Sequence, residues 1–140
     1  MPTGAGRGEQ RTAILRGNLR VIERRRRTPD AVATTWITAG ELAYGAAQSR
    51  APEAHQALVV AFLATLPILE LDWVAAEHFG RLKADLERAG ALRADADLLI
   101  AAIALARGAG LVTGNRRHYE RIPTLLIEDW IRGPDPVQPG

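Results

Sequence analysis

The stretch that most constrains this chain runs from Asp95 to Gly114, DADLLIAAIALARGAGLVTG. It reads as an apolar helix with two carboxylates, Asp95 and Asp97, at its front end. Gly108 and Gly110 follow, then a short apolar strand that runs into Thr113-Gly114-Asn115. Acids are favoured where a helix begins, because the unpaired N–H groups there carry partial positive charge. On open parallel sheets, ligands gather beyond the carboxyl ends of the strands. A helix start bearing carboxylates beside a polar strand end can therefore form a cation site at a sheet edge, provided other acids arrive at the same place.

Working outward, the N-terminal residues MPTGAGRGEQ carry no periodicity and read as poorly structured. From Thr12 to Arg27 the spacing of Ile14, Leu15, Leu19 and Ile22 predicts a helix, ending in the run Arg24–Arg27. That run is either a solvated helix end or a phosphate contact. Ala31–Trp36 (AVATTW) is short and β-branched, as a buried strand is. Thr38-Ala-Gly-Glu41 matches a capping box opening a helix to about Gln48. A second helix is expected over Glu53–Leu66, with Leu58, Phe62 and Leu66 on one face and Pro67 closing it. Ile68–Leu71 reads as a strand. Asp72 is a suitable N-cap for an amphipathic helix Trp73–Ala89, with Val74, Phe79, Leu82 and Leu86 facing inward and Gly90 at its end. The central stretch then gives helix Asp97–Arg107 and strand Leu111–Thr113, and Thr124–Ile127 is a last strand. Strands alternating with helices predict an α/β domain with a mainly parallel sheet flanked by helices. The organisation expected is a poorly structured segment 1–12, a domain 13–130 and a flexible tail 131–140.

At 140 residues the chain is long enough for one domain with a sizeable core. It has no cysteine, which excludes disulfides and thiolate metal sites. It shows no apolar segment of signal-peptide or membrane-spanning character, so a cytoplasmic location is expected. The net charge of +2 is uneven: residues 1–50 hold nine arginines against four acids, and residues 51–140 nine basic side chains against twelve acidic ones. A basic front half beside an acidic back half is compatible with a polyanion held near an acid cluster.

Three segments together carry a resemblance. They are Trp36-Ile-Thr-Ala-Gly-Glu-Leu-Ala-Tyr-Gly45, Asp97-Leu-Leu-Ile-Ala-Ala-Ile-Ala-Leu105 and Leu111-Val-Thr-Gly-Asn-Arg-Arg-His-Tyr119. In this order they resemble the three downstream motifs of the PIN-domain toxins, the VapC-like ribonucleases of type II toxin–antitoxin systems. The resemblance implies a three-layer PIN-like fold and an endoribonuclease that uses Mg²⁺ or Mn²⁺. It also implies an RNA substrate, a homodimer and a cognate antitoxin covering the acidic site. Such a cation takes oxygen ligands and polarises a phosphoryl oxygen while supplying or orienting the attacking water. The implied catalytic residues are Glu41, Asp97 and Asn115, with Glu41 and Asp97 on the metal and Thr113, Asp95 and His118 in support.

Each residue also has a plainer reading. Glu41 can close the capping box begun by Thr38, Asp97 can be a first-turn acid with Asp95 as the cap, and Asn115 can be a turn residue. His118 can be a surface histidine, and Trp36, Trp73 and Trp130 read as core or dimer-face side chains.

The front of the chain departs from the pattern. The family begins with a strand ending in Asp-Thr-Asn, then an apolar helix leading into a sequence like Leu-Leu-Arg-Gly. With Ala13-Ile-Leu-Arg-Gly17 placed at the end of that motif, Arg7 falls where the first Asp belongs. The central strand and its aspartate are then both missing, and a misread frame accounts for this as well as divergence does. Weak or absent activity is expected; the alternative to an enzyme is a PIN-like protein that binds antitoxin without cutting RNA.

Overall fold

The computed structural model describes residues 12–16, 32–91, 93–113 and 116–128. Five strands form one sheet: β1 (Ala13–Leu15), β2 (Val32–Thr35), β3 (Ile68–Leu69), β4 (Gly110–Val112) and β5 (Ile127–Glu128). Their order across the sheet is β3-β2-β1-β4-β5, and every pairing is parallel. Four helices are present among the described residues: α1 (Trp36–Gln48), α2 (Pro52–Leu63), α3 (Trp73–Arg88) and α4 (Asp95–Arg107). This is the α/β architecture with a parallel sheet flanked by helices that the alternating pattern predicts.

The centre of the sheet is where the structure corrects the sequence reading most. The central strand is not missing. It is β1, made of the residues expected to start a helix, with Ile14 opposite Ala33 on one side and Leu111 on the other. Ala13, Ile14 and Leu15 are all buried, Ile14 completely. Burying a side chain of this size contributes roughly 1.5–3 kcal/mol. Three residues flanked by charge have no strand periodicity of their own; ladders from both neighbours impose it.

Side chains alternate across the sheet as the pleat requires. Ile14 and Leu111 face a core layer formed with Leu82 and Leu86 of α3 and Leu98, Ile100 and Ile103 of α4. Ala13, Leu15 and Val112 face the opposite layer, with Phe62 and Leu66. Helix α4 is buried along Leu98 and Ile100–Ala104. A helix apolar on all sides must be interior, and that is why it can carry Asp97 to a fixed point under the sheet edge. It ends at Gly108, whose φ of 61° is the left-handed conformation glycine adopts without a Cβ clash.

Smaller corrections follow from packing. Thr35, not Thr38, caps α1, accepting from the Thr38 N–H at 3.1 Å, so the Thr38–Glu41 capping box does not form. Helix α2 stops at Leu63, and Leu58 is exposed while Val59 and Phe62 are buried. Asp72 does cap α3, accepting from Ala75 N–H at 3.0 Å, but Val74 faces solvent. Trp36 and Trp73 are 56% and 73% exposed and so are not core; Trp130 lies outside the described residues. Strand β3 is Ile68–Leu69 rather than 68–71, and the last strand begins at Ile127, after Thr124, a non-glycine residue at φ 64°.

Candidate functional site

The chain leaves β1 at Arg16. Its backbone N–H donates to Val112 O at 3.0 Å, and Thr34 Oγ1 donates to the preceding carbonyl, Leu15 O, at 2.7 Å. The backbone here is held from β2 and β4 at once, so the Arg16 side chain starts from a fixed point at the carboxyl edge of the sheet.

Two acids meet it. Glu41 comes from the second turn of α1, and Asp97 from the first turn of α4. Arg16 Nε donates to Glu41 Oε1 at 3.0 Å, and its Nη2 donates to Glu41 Oε2. This is the two-pronged guanidinium–carboxylate fork, stronger and more directional than a single ion pair. Arg16 Nη1 also donates to Asp97 Oδ1 and to the Tyr119 hydroxyl. The Tyr119 hydroxyl in turn donates to Asp97 Oδ1 at 3.4 Å, and His118 Nδ1 lies 3.2 Å from Asp97 Oδ2. The Asp97 side chain is only 6% exposed, against 38% for Glu41.

A carboxylate this deeply buried is costly unless it is paired and hydrogen-bonded. Arg16 supplies the charge, and Tyr119 and His118 complete the coordination of Asp97. Burial by itself would lower the Arg16 pKa, but the hydrogen bond to Glu41, and after it the interactions with Tyr119 and Asp97, reverse this and hold the guanidinium above its ordinary value. Burial pushes the Tyr119 phenol well above its ordinary 10.0, with the Arg16 charge opposing the rise.

The structure therefore brings Glu41, Asp97 and His118 together. Thr113 is buried at the end of β4 on the same edge. Asn115 lies outside the described residues. Asp95 is not a cap: Ala94 occupies that position without a side-chain hydrogen bond, and Asp95 instead pairs with Lys83 at 3.1 Å, away from Arg16. Arg16 and Tyr119 are the residues that sequence reasoning missed. The register explains the first. With β1 at Ala13–Leu15, the next three residues are Arg16-Gly17-Asn18, and these stand where the resemblance puts Asp-Thr-Asn. The substituted position is Arg16, not Arg7, which lies outside the described residues. The signal available was the apolar pair Ile14-Leu15 followed at the third place by Asn18.

A parallel α/β sheet with paired carboxylates at its carboxyl edge, one from the helix after β2 and one from the helix before β4, defines a class of acidic-edge α/β domains. The family is specific: the PIN domain model matches residues 6–124, and the chain belongs to the PIN-domain family. The chain is 46% identical over 94 residues to a tRNA(fMet)-specific endonuclease VapC of Salmonella typhimurium, spanning 67% of this chain and 71% of that one. It is 37% identical over 118 residues to a ribonuclease VapC2 of Haemophilus influenzae, spanning 84% of this chain and 89% of that one. Its fold is similar to a crystal structure of DNA-bound VapBC from Salmonella typhimurium, with a TM-score of 0.75, 34% identity and coverage of 86% of this chain and 99% of that one.

PIN-domain nucleases generally use a divalent metal, so the fit of these residues to such an ion matters. As placed, they do not fit it. A hard cation of this kind needs about six oxygen ligands. Here three of the four carboxylate oxygens of Glu41 and Asp97 already accept from a donor, His118 Nδ1 stands 3.2 Å from the fourth, and a guanidinium lies between the two acids. Among the described residues no group of three or more His, Asp or Glu is arranged to hold a metal ion.

Proposed function

We propose that this protein is the toxin-type component of a VapBC-like toxin–antitoxin module. Its reaction class is the hydrolysis of RNA phosphodiester bonds as an endoribonuclease, with turnover held down by Arg16. The observation that carries this is the meeting of Glu41 and Asp97 at the carboxyl edge of a PIN-domain sheet. The named activities of the VapC relatives from Salmonella typhimurium and Haemophilus influenzae support the substrate class. Glu41, Asp97 and Asn115 are the residues to which the chemistry is assigned, with Thr113 and His118 positioning them and Mg²⁺ or Mn²⁺ the cation of the active members. An antitoxin partner and a homodimer are supported by apolar side chains left uncovered on α1 to α3: Trp36, Tyr44, Leu58, Val60 and Trp73. Among the described residues no helix is long and apolar enough to cross a membrane.

A second reading is favoured by one observation, the guanidinium seated on both acids. In that reading the chain binds its antitoxin and leaves RNA intact. Cleavage of total tRNA by the purified chain separates the two. The enzyme reading expects slow cleavage that Asp97→Asn abolishes. RNA left intact, together with a stable antitoxin complex, supports the second reading. Cleavage unchanged by Asp97→Asn contradicts the assignment of the site.

A further inference from the structure

We propose that Arg16 is the resident cation of this centre: its guanidinium occupies the place between Glu41 and Asp97 and keeps divalent metal out. The inference rests on the PIN-domain reading of the site and adds to it a definite ionic state.

Four features on the molecule carry it. The first is anchoring. The Arg16 backbone is bonded to β4 and the adjoining Leu15 carbonyl to β2, so the side chain does not enter the pocket from a loop end. The second is saturation. Glu41 is gripped through both oxygens, while Asp97 receives Arg16 and Tyr119 on Oδ1 and has His118 Nδ1 3.2 Å from Oδ2. An entering ion would have to displace these donors from the same oxygens it needs. The third is charge. A guanidinium stays protonated at any working pH, so the two carboxylates are already partly neutralised, and an incoming dication meets a fixed positive charge at bonding range. The fourth is burial. With Asp97 6% and Arg16 18% exposed, the pair is shielded from the water that would otherwise ease exchange of one cation for another.

The alternative is that the long side chain swings out and gives way to metal. Manganese binding distinguishes the two. The full chain is titrated with Mn²⁺ and bound ion is read by electron paramagnetic resonance, with melting temperature recorded in Mn²⁺ and in EDTA. The wild type is expected to bind Mn²⁺ at this centre at least about 100-fold more weakly than Arg16→Asp, since the substitution changes the ligand shell itself and a change outside that shell already reaches about 100-fold. Its melting temperature is expected to be the same in both buffers. Arg16→Asp is expected to take up Mn²⁺ saturably, to melt higher with it, and to lose both properties when combined with Glu41→Gln. Arg16→Ser removes the cation without adding an acid and shows the same gain in smaller measure, which covers the case of an Arg16→Asp chain that does not fold. Wild-type uptake within ten-fold of Arg16→Asp, abolished by Glu41→Gln, would overturn the proposal. So would folded Arg16→Asp and Arg16→Ser chains that bind no better than wild type. RNA cleavage is not the readout, so a metal-loaded Arg16→Asp chain that cuts no RNA counts against the proposed function and leaves this inference standing.

Discussion

Asp95 and Asp97 sit two residues apart in the first turn of α4, and both are ion-paired. Asp95 is 60% exposed and meets Lys83, itself over the Phe79 ring, on the outer surface of the α3–α4 layer. Asp97 is 6% exposed and is enclosed by Arg16, Tyr119 and His118. Residue type, placement in the first turn and macrodipole are shared by both. The difference is the side of α4 from which each leaves. One points to solvent, where screening and side-chain entropy leave a pair worth about 0–1 kcal/mol. The other points under the carboxyl edge of β1 and β4, where an unpaired charge would be expensive and a paired one specifies what else can enter.

The largest separation of the two regions is expected in activity. Arg16→Asp removes the resident cation and supplies the acid that the resemblance puts at this position. RNA cleavage with Mg²⁺ present is expected to rise on the order of 10³-fold or more, the scale on which one member of a catalytic unit matters. Asp95→Asn in the same assay is expected to change nothing. In stability, Arg16→Ala leaves Asp97 buried with only Tyr119 and His118. Breaking a buried pair costs about 3–5 kcal/mol, and the lower end is expected in urea unfolding because the Tyr119 hydroxyl still donates to Asp97 and His118 still lies beside it. Leu15→Ala, in the strand that carries Arg16, is expected to cost about 2–5 kcal/mol through the cavity it leaves. Lys83→Ala and Asp95→Ala are each expected within about 0.5 kcal/mol of wild type. An Asp95→Ala cost as large as that of Arg16→Ala would erase the distinction drawn here.

Alkaline pH sharpens the comparison from another side. The folded-state pKa of Tyr119 is raised above its ordinary 10.0, chiefly by burial. The unfolded chain therefore loses this proton first. The stability tied to it is complete below pH 10 and falls as pH rises beyond it. Tyr119→Phe is expected to remove that part of the alkaline loss, measured as urea midpoint against pH.

Much of the fold was legible because its signals are local. Asp72 caps α3, Gly90 and Gly108 end their helices at φ 69° and 61°, and the apolar run after Asp97 had to be interior. Glu41 and Asp97 were legible as a converging pair because each sits in a long, ordered motif. What failed was β1. Ala13–Leu15 has too few residues to show a period, and the helical spacing that links Ile14 and Leu15 to Leu19 and Ile22 hides it; Leu19, Ile22 and the run Arg24–Arg27 lie outside the described residues. Only the two flanking ladders make those residues a strand, and pairing between distant segments is not written in the segment itself. The error in β1 then displaced the register, so that the arginine in the centre was assigned to position 7 rather than 16. Tyr119 escaped notice for a similar reason: its hydroxyl matters only once Arg16 and Asp97 are side by side.

What lies between Glu41 and Asp97 sets the ionic state of the centre, and an anomalous difference map from crystals grown in Mn²⁺ reads that point directly. No manganese peak is expected there in the wild-type chain, with the Arg16 guanidinium in density on both carboxylates, and a peak is expected at that place in Arg16→Asp. A manganese peak between Glu41 and Asp97 in the wild type, with the Arg16 side chain turned out to solvent, would contradict that expectation.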